Sequence, residues 1–192
     1  SAARPQDRAD VADFYNVVLA VATWNPAFRQ VMAAQGTSLP EQARALALLN
    51  MAISDALVSV MESKYYYNLW RPETAIRNGA LDDNERTRGE DTFVPYLVTP
   101  CFPAYPSAHA SASYAARAIG DRLFGEDGHS ITLSRGAIHL TYTSFEQITD
   151  DIDDARVFGG IHFRFDQKTG AKQGRQIGAY LFKNSMRQAG PQ

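Results

Sequence analysis

SLPEQARALALLNMAISDALVSVMESKYYYNLWRP, residues 38–72, reads as one long helix around which the rest of the chain is arranged. Ser38 is a good N-cap, Pro40 stands in the first turn, and Glu41 follows three residues after the serine, the pattern of a capping box. Ala43, Leu46, Leu49, Ala52, Ala56, Leu57 and Val60 recur near helical spacing with no interior Gly or Pro. The helix is predicted to continue through Tyr67 until Arg71-Pro72 stops it, because proline cannot continue an interior turn.

Upstream, Val11, Phe14, Val17, Val18, Val21 and Ala22 fall near helical spacing, and Pro26 predicts a break before a second short helix over 28–34. Downstream, residues 78–89 are polar and turn-rich, with Gly79, Asp82, Asp83 and Asn84, and the stretch after them is punctuated by Pro95, Pro100, Pro103 and Pro106. This predicts a loop without regular structure, longer than a compact bundle needs, and such loops often carry function. From Ser107 the alanine-dense run Ala108, Ala110, Ala112, Ala115, Ala116, Ala118, Ile119 predicts a closely packed helix that ends in 120–128. Two more helices are expected, one over 143–156 closed by Gly159-Gly160 and one from Gln167 to Met186. Ile131-Thr132-Leu133 is a weak strand signal, and no hairpin dipeptide lies between alternating runs. The predicted fold is all-α: a single helical-bundle domain over 1–192, with an anion site in its core.

Composition sets outer limits. The 192 residues are 45% hydrophobic and 21% charged, with a formal net charge of −2. That leaves no overall basic field to recruit nucleic acid or an anionic membrane, so any anion binding must be local. The stretch Ala43 to Ala56 is interrupted by Arg44, Asn50, Ser54 and Asp55, which predicts no membrane span. Cys101 is the single cysteine, so no internal disulfide can form, and a small buried apolar role is expected for it. The chain opens at Ser1 without a basic or apolar leader, so a signal peptide is absent or already removed, and a start upstream or an exported location is compatible with this.

Several patterns carry little. Asp150-Asp151-Ile152-Asp153-Asp154 lacks the glycine and alternating ligands of a calcium loop and reads as the acidic first turn of a helix. His129 and His139 have no partner at metal-ligand spacing and are expected to be structural or surface residues. No Gly-rich nucleotide loop or nucleophile elbow is present.

Three segments carry chemistry. Lys64 and Arg71 are seven residues apart, about two turns at roughly 3.6 residues per turn, which places both cations on one face of a helix. Pro106-Ser107-Ala108-His109 lies where loop becomes helix, so free N–H groups and the positive dipole end would face an anion, with a hydroxyl and an imidazole beside them. Arg156 precedes His162, and Asp166 follows four residues later, placed to accept from one ring nitrogen and leave the other as nucleophile or metal ligand. Gly159-Gly160 lets the chain bend between Arg156 and His162.

Together these read Lys-x6-Arg-Pro, Pro-Ser-Ala-His and Arg-x5-His-x3-Asp in order, which resembles the three-part signature of the vanadium-dependent haloperoxidase and type 2 phosphatidic acid phosphatase superfamily. The joint spacing is far more specific than any one part. The likeness to the soluble bacterial haloperoxidase branch extends through residues 70–77, Phe102-Pro103-Ala104-Tyr105 and 159–163, and covers essentially Ser38 to Met186. The resemblance implies that Lys64, Arg71 and Arg156 neutralise the oxygens of vanadate or phosphate, with Ser107 and the Ala108 N–H as further donors. It implies His162 as the axial vanadium ligand, Asp166 as its orienting carboxylate, His109 as the acid–base group and Phe102 as part of a halide pocket.

Three activities share this geometry. One is halide oxidation by hydrogen peroxide at bound vanadate, another is hydrolysis of a phosphate monoester through a phosphohistidine at His162, and the third is phosphate or vanadate binding without catalysis. The first is preferred on the flanking likeness. Two departures bear on it: Ala108 stands where the family has glycine, and Met61 stands where family chloroperoxidases place a tryptophan, so the resemblance does not fix the halide. A homodimer is also expected, since so short a bundle leaves apolar surface to cover.

Overall fold

The computed structural model describes residues 5–16, 20–81, 84 and 86–187. Val17, Val18, Asp82 and Asp83, used in the sequence reading, lie outside them. The element order is α1 Gln6–Phe14, α2 Ala20–Gln35, α3 Leu39–Tyr67, α4 Pro72–Arg77, a 3-10 turn Gly79–Leu81, α5 Ala108–Phe124, β1 Ile131–Arg135, β2 Ile138–Tyr142, α6 Phe145–Phe158 and α7 Arg164–Asn184. The fold is all-α, as the patterning predicted, with one small hairpin that it did not announce.

α3 is the 29-residue spine, about 44 Å long at about 1.5 Å per residue. Glu41 reaches back to accept from the Ser38 N–H at 2.8 Å and the Ser38 hydroxyl at 2.7 Å. The helix buries Ala45, Leu48, Leu49, Ala52, Ile53, Ala56 and Val60 on one stripe, and the next position on that stripe is Lys64. The same periodicity that builds the core therefore carries an ammonium group into it.

α5 and α7 make the most extensive helix–helix contact, with α3 against both. The approach is close because Gly170, Gly174 and Gly178 face the backbone of α5. A Cβ at Gly170 would stand 2.5 Å from the Ser107 carbonyl oxygen, one at Gly178 would stand 2.6 Å from that of Ala115, and one at Gly174 would collide with that of Ser111. The rings of Trp24, Phe28 and Phe145 fill the other end of the core, with Phe145 5.7 Å from Phe28 and 5.8 Å from Trp24.

The structure departs from the sequence reading in several places. Pro26 lies inside α2 instead of breaking it. The buried residues around it, Trp24, Ala27, Phe28, Val31 and Met32, gain more than the roughly 3 kcal/mol an interior proline costs. α3 ends at Tyr67, where Asn68 takes a left-handed conformation with φ of 47°. Pro72 therefore opens α4 instead of merely stopping the preceding helix. α5 passes through Gly120, which the Phe145 ring packs against, and ends at Phe124. β1 and β2 pair antiparallel from Ile131↔Tyr142 to Arg135↔Ile138. The turn is Gly136-Ala137, with Gly136 at φ of 58°, a dipeptide too nonspecific to announce a hairpin. The acidic run 150–154 sits in the middle of α6, where Asp151 and Asp154 accept from Arg8. Cys101 is exposed, not buried.

By length and composition alone, the helical stretch within Leu39–Arg77 is apolar enough to cross a membrane, contrary to the expectation from its interrupting polar residues. The core helix of a bundle has the same composition, and 39% of its most apolar window is buried inside the fold.

Candidate functional site

Arg71, Phe102, Ala108, His109, Arg156 and His162 line a single cavity of about 300 Å³. They come from the α3–α4 junction, the proline-rich loop, the first turn of α5, the end of α6 and the bend before α7. Lys64 and Ser107 lie behind this wall, both fully buried. Lys64 and Arg71 do not meet through helical periodicity, since α3 ends between them. They meet because the turn at Asn68 brings Arg71 back over the same Phe102 ring, whose centroid is 5.4 Å from the Lys64 Nζ and 5.1 Å from the Arg71 guanidinium carbon.

The proline-rich loop is held in place by these cations. Lys64 Nζ donates to the carbonyls of Pro103 and Ala104, both at 2.8 Å, and Arg71 Nε donates to that of Phe102 at 2.9 Å. Ala104 N–H bonds back to Leu69, and Ser107 N–H to the Asp166 carbonyl at 3.1 Å. The loop thus bridges α3 and α7 and delivers Ser107 as the N-cap of α5. Its hydroxyl oxygen accepts from Ala110 N–H at 3.3 Å, leaving its own O–H to donate, and the N–H groups of Ala108 and His109 precede the first hydrogen bond of the helix, from Ser111 N–H to the Ser107 carbonyl.

His162 lies just before α7, not on it. Asp166, at the third helical position, accepts from His162 Nδ1 at 2.9 Å and from Phe163 N–H at 3.0 Å. Arg71 Nη1 donates to His162 Nε2 at 3.0 Å and to the Ile161 carbonyl at 2.8 Å. The imidazole is therefore set as the neutral tautomer with the proton on Nδ1. Burial, then Arg71, Lys64 and Arg156, holds its pKa well below the ordinary histidine range. His109 is pushed down likewise by burial, then by Arg156, Lys64 and Arg71. Burial, then Arg71 and Arg156, lowers Lys64 to about 7 against the opposing pull of Asp166. Arg71 and Arg156 are each lowered to about 10, first by burial. Asp166, pushed up to about 6 by burial, is the carboxylate facing Lys64 and Arg71.

Two buried donors here have no hydrogen-bond partner, Arg71 Nη2 and Arg156 Nε. Buried polar groups are normally satisfied, because leaving one unpaired costs about 1–3 kcal/mol. Mutually repelling cations, unpaired guanidinium N–H groups and a helix N-terminus together form a donor set for a compact oxyanion, and phosphate and vanadate both fit it. Among the described residues, no group of three or more His, Cys, Asp or Glu is placed to hold a bare metal cation.

A family model, the VCPO second helical-bundle domain, matches residues 44–190. The chain belongs to that family. With it comes membership of the vanadium haloperoxidase superfamily, to which the solved structures also point. A bacterial vanadium-dependent iodoperoxidase is 28% identical with a TM-score of 0.80, over 92% of this chain and 43% of that one. A bacterial vanadium-dependent chloroperoxidase shares the fold in its apo form, at 17% identity and a TM-score of 0.65, over 93% of this chain and 47% of that one. In the holo form the identity is 18% and the TM-score 0.61, over 93% and 46%. The chain thus spans less than half the length of these haloperoxidases. No curated protein sequence matches it.

Within this haloperoxidase-family chain, several features escaped the sequence reading. Asn16, Ala20, Leu57, Pro100 and Ala112 also line the cavity, and the Tyr15 carbonyl accepts from Arg156 Nη1 at 2.9 Å. Met61, already singled out by its place one turn before Lys64, lines it with them. The Tyr15 contact joins positions 141 residues apart, and no local pattern marks it. His129 bonds the Gly125 carbonyl and packs on Phe145, and exposed His139 bonds Ser134, in keeping with structural roles.

Proposed function

We propose that this chain carries a haloperoxidase-like site that binds vanadate and uses hydrogen peroxide to oxidise halide. The observation that carries the reading is the convergence of Arg71, Arg156, His109 and His162 on one cavity, with two buried guanidinium N–H groups still unpaired. In this reading Lys64, Arg71 and Arg156 hold the oxyanion by charge, Ser107 and the Ala108 N–H add neutral donors, and His162 Nε2 is the ligand. When bound, vanadate supplies Lewis acidity that activates hydrogen peroxide towards a halide.

The protein's own residues supply the rest. Asp166 fixes the proton on His162 Nδ1 and so makes Nε2 the acceptor, whose lone pair takes an Arg71 N–H that a bound oxyanion would draw to itself. His109, kept neutral by burial and then by the cations around it, accepts a proton from incoming hydrogen peroxide at a ring nitrogen. Phe102, Leu57 and Met61 wall the cavity with apolar surface. Iodide is the first halide to test, because the neighbour with 28% identity is an iodoperoxidase.

A phosphatase reading draws on the same His162–Asp166 pair, with Nε2 as nucleophile and His109 protonating the leaving alcohol. One preparation separates the readings. Iodination or bromination of a phenolic dye that requires added orthovanadate supports the peroxidase. Vanadate-inhibited hydrolysis of p-nitrophenyl phosphate, lost in His162→Ala, replaces it with the phosphatase, and oxyanion binding without either turnover leaves a binding protein. The exposed rings of Tyr65, Tyr66, Tyr67 and Phe165 support the expected homodimer, which a single monomeric boundary in sedimentation would remove.

A further inference from the structure

Arg156 is 3% exposed and has no carboxylate partner among the described residues. Its Nη1 donates instead to the carbonyl of Tyr15, the C-cap of α1. Arg135 Nη1 takes the two carbonyls before it, those of Asp13 at 2.6 Å and Phe14 at 2.8 Å. Three successive carbonyls at the negative end of α1 are thus occupied by guanidinium groups from β1 and α6, the arrangement that best compensates a buried cation at a helix C-terminus.

The Tyr15 side chain is pinned as firmly as its backbone. Its hydroxyl is 2.9 Å from that of Tyr142, which donates to Asp151 Oδ2 at 2.9 Å, so Tyr15 donates to Tyr142. Asp151 Oδ1 in turn accepts from Arg8 Nη1 at 3.0 Å, which ties the start of α1 to the same carboxylate that anchors its end. Asp151 and Arg156 both belong to α6, so one helix grips Tyr15 twice, through the hydroxyl relay and through the carbonyl. Residue 16, immediately after Tyr15, is part of the cavity wall.

We infer that Tyr15, Tyr142 and Asp151 form a positioning relay that fixes the Arg156 guanidinium at the oxyanion site, although none of the three is among the residues lining the cavity. The inference rests on the oxyanion reading above. It assigns to α1, which lies outside the family-matched segment 44–190, the task of holding one of that segment's own cations in place. With the relay intact, Arg156 keeps one N–H on the Tyr15 carbonyl while its Nε remains unpaired.

The test uses Tyr142→Phe, which keeps the ring and removes the linking hydroxyl, with Asp151→Asn as a second variant should the first fold poorly. Ile148→Val, a core change one turn from Asp151 on α6 that removes no hydrogen bond of the relay, controls for general loosening of that helix. Orthovanadate affinity is measured by calorimetric titration, the 51V NMR shift of the saturated complex is recorded, and thermal unfolding of each protein is followed without vanadate. Tyr142→Phe is expected to weaken orthovanadate binding about fivefold to tenfold, on the scale of one buried hydrogen bond, and to move the 51V resonance. Ile148→Val should lower the melting temperature and leave both unchanged. Unchanged affinity and 51V shift in Tyr142→Phe and Asp151→Asn overturn the relay. So does a loss of affinity that Ile148→Val reproduces at equal loss of stability. Absence of orthovanadate binding by the parent protein instead removes the oxyanion reading, and the relay with it.

Discussion

Lys64→Met separates the charge held in the core from the packing around it. The ammonium is fully buried and its pKa falls from its ordinary 10.5 to about 7. At about 1.4 kcal/mol per pH unit, keeping it charged in the folded protein costs about 5 kcal/mol, which methionine would not incur. Against this, methionine abandons the carbonyls of Pro103 and Ala104, each costing about 1–3 kcal/mol when left buried and unpaired. The two contributions nearly cancel, so the level of stability at neutral pH discriminates poorly. The slope against pH discriminates well. Below pH 7 Lys64 is protonated in both states; between about 7 and 10.5 the unfolded chain keeps the proton and the folded protein does not, so parent stability climbs as pH rises through that window. From about pH 7.5 to about pH 9 the parent should gain about 2 kcal/mol that Lys64→Met does not. Urea unfolding followed by far-UV circular dichroism at intervals across that range measures it. Saturating inorganic phosphate provides the second arm: at about a hundred times its dissociation constant it should stabilise the parent by about 2.7 kcal/mol, and Lys64→Met distinctly less at the same concentration. Parallel pH slopes for the two proteins, or equal stabilisation by phosphate, would refute the account of Lys64 as a depressed-pKa cation of an oxyanion site.

The same geometry sets other outcomes. Gly174→Ala forces a methyl into the Ser111 carbonyl across the α5–α7 contact and should cost about 2–4 kcal/mol in urea unfolding; a change under about 0.5 kcal/mol would contradict the close approach. His109 and His162 are held below their ordinary 6.5 in the folded state, so the unfolded chain binds more protons as pH drops and stability should be lost below about pH 6.5; His109→Gln should reduce that acid loss. His162→Ala should abolish turnover and sharply weaken oxyanion binding, whereas His109→Ala should retain binding and lose turnover by roughly 10²–10⁴-fold, as calorimetry and the dye assay would show.

Much of the fold was legible because helices write their packing into local spacing. The capping box at Ser38, the apolar spacing from Ala43 to Val60 and the alanine run after Ser107 each announced its helix, since apolar face and caps lie within a few turns of one another, although packing buries Ala45, Leu48 and Ile53 and leaves Ala43 and Leu57 exposed. The failures were cases where distant packing outweighed a local signal. Pro26 is tolerated because Trp24 and Phe28 are buried against Phe145 of another helix, and the hairpin at Gly136 forms because Ile131 and Leu133 find the core.

For the candidate site, the sequence by itself determined the chemical inventory: three cations, two histidines, a capping serine and a carboxylate, in an order and spacing specific enough to indicate the family. It could not determine how they meet. Lys64 and Arg71 converge through the left-handed turn at Asn68, not through helix periodicity. His162 is oriented by Asp166 across a helix start, and Arg156 is held by the carbonyl of Tyr15, 141 residues away. Side-chain identity is local information, whereas the direction of a buried donor depends on which distant backbone oxygen accepts from it, and only the assembled bundle decides that.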